Sequence, residues 1–400
     1  MLPAAGGVSR LAHTDDRPDA ALLERVRSRL VGHGAAPNAV LSAADVAEAL
    51  RAERGLLGDG PVLAVAAALR AELAGLGPLQ PLLADPRVTD VLVNGPADVW
   101  VDRGGGLERV DARFADEADV RRIAERLATS AGRRLDDGAP WVEARLPQGL
   151  RLHAVIPPVA VGGTHLSLRV PARTPLSLAQ LAAAGAVTPL VEQTLRDLVA
   201  ARASLLVTGG TGAGKTTLLA ALLGLVPDDE RIVIAEDTAE LDPDHPHVVR
   251  LEGRAANVEG AGEVQLRQLV RQALRMRPDR LVVGEVRGAE VVDLLAALNT
   301  GHDGGSGTLH ANAAEDVPAR VEALATSAGL SREAVASQLG AALDAVVHVA
   351  RGRDGRRHVA SVGVLVRRRD GLCAVVEALS PRGEGPGAEQ LASLLARAGG

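Results

Sequence analysis

Beyond residue 200 the chain alternates short apolar runs with segments whose apolar residues recur every three or four positions. The short runs have the length of buried strands, and the recurring segments match the period of amphipathic helices. Such alternation predicts an α/β fold, a largely parallel sheet with crossover helices. The expected strands are Leu205–Val207, Arg231–Ala235, Val248–Leu251, Leu281–Gly284 and Gly307–His310, and the expected helices are Val264–Met276, Val291–Leu298 and Val317–Ala325.

A different pattern, with apolar residues at every second position, begins near Gly77. Residues 99–102 and 107–110 flank three consecutive glycines and predict a β-hairpin. A helix is expected over 117–130, and further strands are expected over 142–146, 150–156 and 164–170. These elements predict a smaller α+β N-terminal domain ahead of the α/β domain.

The remaining segments set the domain boundaries. The first residues read as helices joined by Gly/Pro breaks, and two prolines follow the α+β domain as in a linker. From Arg351 the pattern indicates a smaller strand-rich part and a final helix. The predicted division is a helical segment at 1–75, the α+β domain at 76–170, a linker at 171–185 and the α/β domain at 186–400.

One loop carries the strongest chemical signal, the phosphate-binding pattern G-x-x-x-x-G-K-[ST] between a strand and a helix. Its glycines let backbone N–H groups face phosphate oxygens, and the helix N-terminus adds partial positive charge. Lys215 is the only lysine in the sequence. A compact ammonium group reaches the β- and γ-phosphates, whereas a guanidinium is too wide for the loop. The residues expected to bind a nucleoside triphosphate are Gly209, Gly210, Thr211, Gly212, Ala213, Gly214, Lys215, Thr216 and Thr217.

Acidic residues end two of the predicted strands. In a phosphate-loop enzyme such residues serve the metal and the attacking water, and the loop hydroxyl of Thr216 binds Mg²⁺. Glu285 ends one strand, and we assign it to polarising the water for in-line attack on the γ-phosphate. Glu236 and Asp237 end the other strand. Strand-end acids also cap turns, but the loop upstream favours the catalytic interpretation.

Two histidines, His302 and His310, bracket a Gly-rich turn that leads into a predicted strand. With no cysteine and no third ligand close by, a metal site is not favoured. An imidazole near a phosphate can instead donate to an oxygen and transmit the nucleotide state to the next segment.

Composition limits the partners. The net charge is −6 and aromatic residues make up 1% of the chain, which argues against a protein that coats nucleic acid or stacks bases. Cys373 is alone, so a disulfide framework and a cysteine-rich zinc site are excluded. No stretch reads as a secretory signal or a membrane span.

Four segments in order resemble the Walker A, Asp box, Walker B and His box of the type II/IV secretion ATPases, and most resemble the TadA/CpaF subfamily of tight-adherence (Flp) pilus motors. The four-cysteine zinc element of type II members is missing. Residues 77–79 and 90–95 are similar to the signature of the family's N-terminal domain. The four segments are residues 209–217, 231–241, 274–288 and 299–312.

The resemblance implies a hexameric ring, in which each subunit has an α+β domain hinged to a RecA-like motor with ATP between them. It also implies that Lys215 and Thr216 hold phosphates and Mg²⁺ while Glu285 activates water. Glu236 and Asp237 would help to position metal or water, Glu240 would assist, and His302 and His310 would sense the γ-phosphate. Arginines of the N-terminal domain would reach the nucleotide, and the candidates are Arg151 and Arg169, with Arg145 behind them.

From these residues we expect a cytoplasmic hexameric ATPase, bound peripherally to integral inner-membrane platform proteins, that drives Flp pilus assembly or related protein export. One alternative is a conjugation-type translocase that moves nucleic acid, although the net charge disfavours it. A second alternative is a scaffold subunit that binds ATP without hydrolysing it.

Overall fold

The computed structural model of the protein describes residues 76–146, 149–170, 175–254, 256, 261–352 and 354–396. By their contacts the residues divide into two compact units, with the boundary after residue 171. The predicted helical segment at 1–75 and the start of the predicted linker lie outside the described residues.

The first unit is an antiparallel sheet with two α-helices in its described part. The helices are α1 (Gln80–Ala84) and α2 (Glu117–Ser130). The strands are β1 (Asp90–Gly95), β2 (Asp98–Asp102), β3 (Leu107–Val110), β4 (Trp141–Arg145), β5 (Arg151–Val155) and β6 (His165–Arg169). They pair in the order β3-β2-β1-β6-β5-β4.

Local sequence explains these elements. Val91 and Val93 of β1 are fully buried, and the residues between and beside them are less buried, as the period of two predicts. In the β2–β3 turn, Oδ1 of Asp102 accepts hydrogen bonds from the N–H groups of Gly104 and Gly106 at 2.6 and 3.1 Å. Asp116 caps α2 by accepting from the N–H of Asp119 at 2.8 Å.

The second unit is built on one large sheet. Its strands are β7 (Leu205–Thr208), β8 (Ile232–Glu236), β9 (Val248–Glu252), β10 (Arg280–Val286), β11 (Ser306–Leu309), β12 (Ala345–Arg351), β13 (Arg357–Arg367), β14 (Cys373–Ser380) and β15 (Gly383–Glu384). Its helices are α3 (Leu178–Ala183), α4 (Pro189–Ala200), α5 (Lys215–Leu223), α6 (Leu266–Ala273), α7 (Glu290–Leu298), α8 (Val317–Ser327), α9 (Arg332–Ala342) and α10 (Ala388–Ala396).

The nine strands follow the order β15-β14-β13-β12-β7-β11-β10-β8-β9. Strands β12, β7, β11, β10, β8 and β9 pair in parallel, and β13 to β15 add to one edge in antiparallel pairing. The α/β fold with a parallel-sheet core is therefore confirmed. The C-terminal strands extend this same sheet, and β7 lies inside it with all four residues buried. None of the helices in the described ranges is long and apolar enough to cross a membrane.

One expected linker segment is helical. The predicted linker at 171–185 contains α3, which Ser177 and Gln180 open with reciprocal capping hydrogen bonds. Leu178 is 1% exposed and belongs to the core of the second unit. The apolar residues of this segment recur at helical spacing, so its burial against the core outweighs the prolines that precede it. Helices α4 and α9 are further elements that the sequence pattern had not indicated.

A buried ion pair lies at the first residue of β10, inside the sheet. The side chain of Arg280 is 3% exposed, and its Nε donates to Oε2 of Glu230 at 2.6 Å. Its Nη2 also donates to the carbonyl oxygen of Val199 at 3.1 Å. A Cβ at Gly304 would overlap this guanidinium, so the position requires glycine. Breaking such a pair leaves buried polar groups without partners.

We expect Arg280→Met to lower the free energy of unfolding of the second unit by about 3 kcal/mol, because the change removes a buried guanidinium that bonds both Glu230 and the Val199 carbonyl. Both acceptors keep a bond to Arg202, through its side chain and its backbone N–H, which limits the loss. Arg196→Met, which removes a half-exposed pair with Glu192 on α4, should cost less than about 1 kcal/mol. Both tryptophans, Trp100 and Trp141, lie in the first unit. Urea unfolding followed by tryptophan fluorescence and by circular dichroism therefore separates the units, and equal losses in both variants would contradict this account.

Candidate nucleotide-binding and catalytic site

The phosphate-binding loop joins β7 to α5 in the strand–loop–helix arrangement that the sequence predicts. Gly214 precedes α5 in a left-handed conformation, with φ of +99°. Gly209 has φ of +150°, and a Cβ there would overlap the carbonyl oxygen of Val349 on β12. Only glycine satisfies both the backbone conformation and this close approach. The first helical turn, with Lys215 and Thr216, consequently starts directly above the end of β7.

Lys215 is buried inside the loop, with 7% of its surface exposed. Its Nζ donates to the carbonyl oxygen of Gly210 at 3.1 Å. The ring nitrogens of His310 lie 3.3 and 3.4 Å from the same Nζ. Burial, and then the positive charge of Lys215, lower the pKa of His310. The imidazole is therefore neutral at pH 7 and can accept a hydrogen bond from the ammonium group.

Glu285 reaches the same cluster because β10 carries a bulge. The β10–β11 register changes between the pairs Val283↔Gly307 and Val286↔Leu309, and a bulge redirects side chains. Oε1 of Glu285 lies 2.7 Å from Nε2 of His310. Arg287 forms an ion pair with the other carboxylate oxygen. Lys215, His310 and Glu285 thus form one chain of contacts at the phosphate-binding loop.

Glu236 lies at the end of β8 and is 4% exposed. Its Oε1 accepts from the N–H groups of Glu240 and Leu241, both at 3.0 Å, while Oε2 has no hydrogen-bond partner among the described residues. Burial raises the pKa of this carboxyl group to about 7. A Cβ at Gly284 would overlap the Glu236 side chain, so Gly284 provides the space it occupies.

The protein side chains fit a magnesium ion that arrives with a nucleotide. The described residues contain no cluster of three or more His, Cys, Asp or Glu side chains able to hold a metal alone. Mg²⁺ usually binds through one or two protein groups together with phosphates and water. The Thr216 hydroxyl at the start of α5 and the unpartnered oxygen of Glu236 are suitable donors.

The other predicted acids and the second histidine are placed differently. Asp237 and Glu240 are exposed on the turn after β8. Nδ1 of His302 lies 3.2 Å from the carbonyl oxygen of Ala297, at the end of α7. The described hydrogen bonds and ion pairs of His302 do not reach Lys215 or Glu285. The structure brings His310 into the cluster and ties His302 to the helix.

The three candidate arginines form a row on the first unit. The strand register pairs Arg145 with Arg151, and Arg151 with Arg169, and Asp90 stands next in the row on β1. Arg151 donates to Oε1 of Glu143 at 2.9 Å. Arg151 and Arg169 line a depression of about 210 Å³. Residues on adjacent strands in one row share a face, so these arginines lie on one face together with the acidic residues Asp90 and Glu143.

Two further contacts at the loop involve residues that belong to no sequence motif. Nε of Arg357 donates to the carbonyl oxygen of Gly212 at 2.9 Å. Nδ1 of His348 lies 3.0 Å from Oγ1 of Thr208, at the end of β7. No motif marks these residues, because their role depends on a hairpin about 140 residues away in the sequence.

The raised pKa of Glu236 predicts a pH dependence of stability in the nucleotide-free protein. The pKa rises on folding from 4.5 to about 7, so the folded state holds the proton more tightly. The contribution of this proton to the free energy of unfolding should be fully present below pH 4.5. This contribution of about 3 kcal/mol should be lost as the pH rises through 7.

Glu236→Gln should remove this part of the pH profile, because the amide keeps the Oε1 acceptor and carries no charge. Urea unfolding of the variant and of the parent chain between pH 5 and 8 measures the difference. The exposed residue Glu389 on α10 provides the control variant, Glu389→Gln. Parallel profiles for Glu236→Gln and the parent chain would contradict the assignment.

Comparison with known proteins identifies the family of this chain. The sequence profile of the type II/IV secretion system protein family matches residues 72–369. A Mycobacterium tuberculosis H37Rv protein named "Putative conjugal transfer protein Rv3659c" is 58% identical over 346 residues, which span 85% of this chain and 98% of that protein. The type IV secretion system protein VirB11 of Brucella suis is 31% identical over 318 residues, 72% of this chain and 88% of that protein.

Among solved structures, the Yersinia pseudotuberculosis ATPase DotB aligns with a TM-score of 0.50 and 17% identity, over 75% of this chain and 76% of that chain. At this identity the similarity concerns the fold alone, and it agrees with a RecA-like motor domain. The family profile covers well over half of the chain, and two relatives above 30% identity are covered over most of their length. The chain belongs to the type II/IV secretion system protein family.

Proposed function

We propose that this protein is a Mg²⁺-dependent ATPase that drives a type II/IV secretion machine. The observation that carries the proposal is the contact chain Lys215–His310–Glu285 at the phosphate-binding loop. It joins a phosphate-binding cation to a carboxylate through a neutral imidazole. Phosphoryl transfer to water requires a positioned water, a base and positive charge on the phosphates. Lys215 supplies the positive charge, and Glu285, contacted by His310, supplies the base.

In this mechanism Lys215 and the N-terminus of α5 hold the β- and γ-phosphates. Thr216 would hold Mg²⁺ together with the phosphates, and the ion would supply positive charge against the negative charge that develops in the transition state. Glu285 orients the attacking water and takes its proton. Arg287, beside Glu285, keeps a positive charge next to the carboxylate, and Glu236, with Asp237 and Glu240 near it, orders the turn at the metal side.

Nucleotide binding would change the contacts of His310. Nζ of Lys215 lies against the imidazole in this structure, and a γ-phosphate competes for the same ammonium group. The neutral imidazole has a single N–H, so it would then turn this donor from Glu285 to a phosphate oxygen. We assign to His310 the sensing of the γ-phosphate. His302, bonded to the end of α7, would respond to the same loop only through the Gly-rich turn between them.

The motor would act as a homohexamer on integral membrane platform proteins, from the inner face of the membrane. We assign Arg151 and Arg169 to the nucleotide, with Arg145 as support, since the strand register places all three on one face of the first unit. Domain motion through the segment at 171–185 would convert hydrolysis into work.

For the machine itself we favour a conjugation-type system, because relatives at 58% and 32% identity carry conjugal transfer names. Flp pilus assembly is the second candidate, supported by the resemblance of the motifs to the TadA/CpaF subfamily. In either machine we expect the chain to act on proteins and not on DNA. The net charge of −6 and the few aromatic residues support this choice.

Glu285→Gln should bind ATP normally and lower turnover by about 10²- to 10⁴-fold, because the amide cannot take a proton from water. Lys215→Ala should abolish binding of ATP and ADP, since the buried cation is lost. Steady-state phosphate release and binding of a fluorescent ATP analogue measure the two effects, with Glu389→Gln as the control. Normal turnover in Glu285→Gln would refute the base assignment. Absent turnover in the assembled parent ring would instead favour the non-hydrolysing scaffold.

Turnover should change by less than about twofold when single- or double-stranded DNA is added at low salt, because the acidic chain lacks the excess positive charge that phosphate backbones attract. The assay uses the parent chain, with Glu285→Gln as the blank, from 50 to 200 mM salt. Several-fold stimulation that falls steeply with salt would establish a nucleic-acid translocase instead.

A further inference from the structure

The hairpin β12–β13 contacts the phosphate-binding loop from one side of β7, and the catalytic cluster lies on the other side, next to β11. The hairpin β12–β13 pairs Arg351 with Arg357 close to its turn. From this hairpin Val349 packs against Gly209, and Arg357 donates through Nε to the carbonyl oxygen of Gly212 at 2.9 Å. Cδ of Arg357 also lies 3.4 Å from the position of a Cβ on Gly214.

The contact at Gly212 fixes the direction of one peptide group. A trans peptide is planar, so its C=O and N–H point in opposite directions. With the Gly212 oxygen held by Arg357, the N–H of Ala213 must point to the other side. There the carbonyl oxygen of Gly210 accepts from Ala213 at 3.3 Å and from Nζ of Lys215 at 3.1 Å. Arg357 thus binds the outside of the loop, while the Ala213 N–H faces the side where the phosphate-binding cation lies.

The loop needs such a support because its own backbone is permissive. Gly212 and Gly214 have φ of +69° and +99°, and glycine populates both signs of φ readily. Gly212 is also exposed, so little packing holds it. A rotation of this peptide would break the hydrogen bond from Ala213 to the Gly210 carbonyl and direct the Gly212 carbonyl oxygen toward the side where Lys215 lies. Fixed N–H groups are what make such a loop an anion site.

We propose that Arg357 is a positioning residue for nucleotide binding, which holds the Gly212 carbonyl outward and thereby keeps the Gly210–Ala213 turn that shapes the loop around Lys215 for phosphates. The inference rests on the proposed ATP binding at this loop. The ligand class is a nucleoside di- or triphosphate, since both carry the phosphate that the loop N–H groups surround. Arg357 acts through the loop and not on the γ-phosphate, so its loss affects ADP and ATP alike.

The test compares side chains of similar length that differ in the group at the position of the arginine Nε. Glutamine places an N–H donor at the position of the arginine Nε, whereas methionine places a methyl group there. Arg357→Met should weaken binding of ADP and of ATP, and raise KM, by about tenfold with kcat nearly unchanged, as for the loss of one hydrogen bond that orients a binding group. Arg357→Gln should stay within about twofold of the parent chain, because it keeps that bond.

Arg356→Met is the matched control. This neighbouring arginine is 85% exposed, and its side chain has Asp354 at 4.0 Å, so the variant makes the same change of charge and shape one residue away. It should bind both nucleotides as the parent chain does. Thermal unfolding of all three variants should coincide with that of the parent chain, since both arginines are exposed on the hairpin.

Three results would overturn the inference while leaving the proposed function intact: equal binding by Arg357→Met and Arg356→Met, a loss confined to ATP, or rescue by Arg357→Lys but not by Arg357→Gln. The last would show that positive charge at the nucleotide matters and the Gly212 bond does not. A parent chain that binds neither nucleotide, with Lys215→Ala unchanged from it, would refute the proposed function and this inference together.

Discussion

One buried ammonium group determines how the site is arranged. Lys215 is enclosed by the loop, and a buried cation is costly unless acceptors surround it. In this structure the acceptors include the Gly210 carbonyl and the neutral ring of His310. Burial and the same cation lower the pKa of His310, which keeps the ring neutral and able to accept a hydrogen bond from Lys215. Lys215 therefore contacts His310, which follows β11, and through the imidazole it is linked to Glu285 of β10. A bound phosphate would compete for the same ammonium group.

The two strand-end glutamates have separate environments, and these suit different tasks. Glu285 is 23% exposed, with Arg287 and His310 beside it, so water and a compensating cation are both within reach. Glu236 is enclosed, bonds backbone N–H groups and has its pKa raised to about 7. Gly284 connects the two, since it leaves room for Glu236 and precedes the carboxylate at the bulge. A carboxylate that is easily hydrated suits water activation, and one that is half-protonated at neutral pH suits a structural or metal-linked role.

Local sequence patterns sufficed for the parallel core, the hairpin at 99–110 and the loop, because the period of apolar residues and the turn glycines are short-range signals. The patterns did not reveal α3, since its prolines and missing charges resemble a linker, nor the separation of His302 from His310. The motifs also predicted the protein family correctly, but they did not determine which secretion machine the chain belongs to. The same four segments suit a pilus motor and a conjugation ATPase equally, so they do not distinguish the two proposed machines.

The contacts that no motif reveals come from the register of distant strands. β12 pairs with β7 over four residues, from Ala345↔Leu205 to His348↔Thr208, and β13 is hydrogen-bonded to β12 in turn. A hairpin tied into the sheet in this way cannot move independently of the strand that precedes the loop. Arg357 and Val349 therefore offer the loop a fixed support. In the proposed mechanism, a change on hydrolysis would therefore begin on the opposite side, at His310 and Glu285, whose contacts are made by side chains that a phosphate can replace.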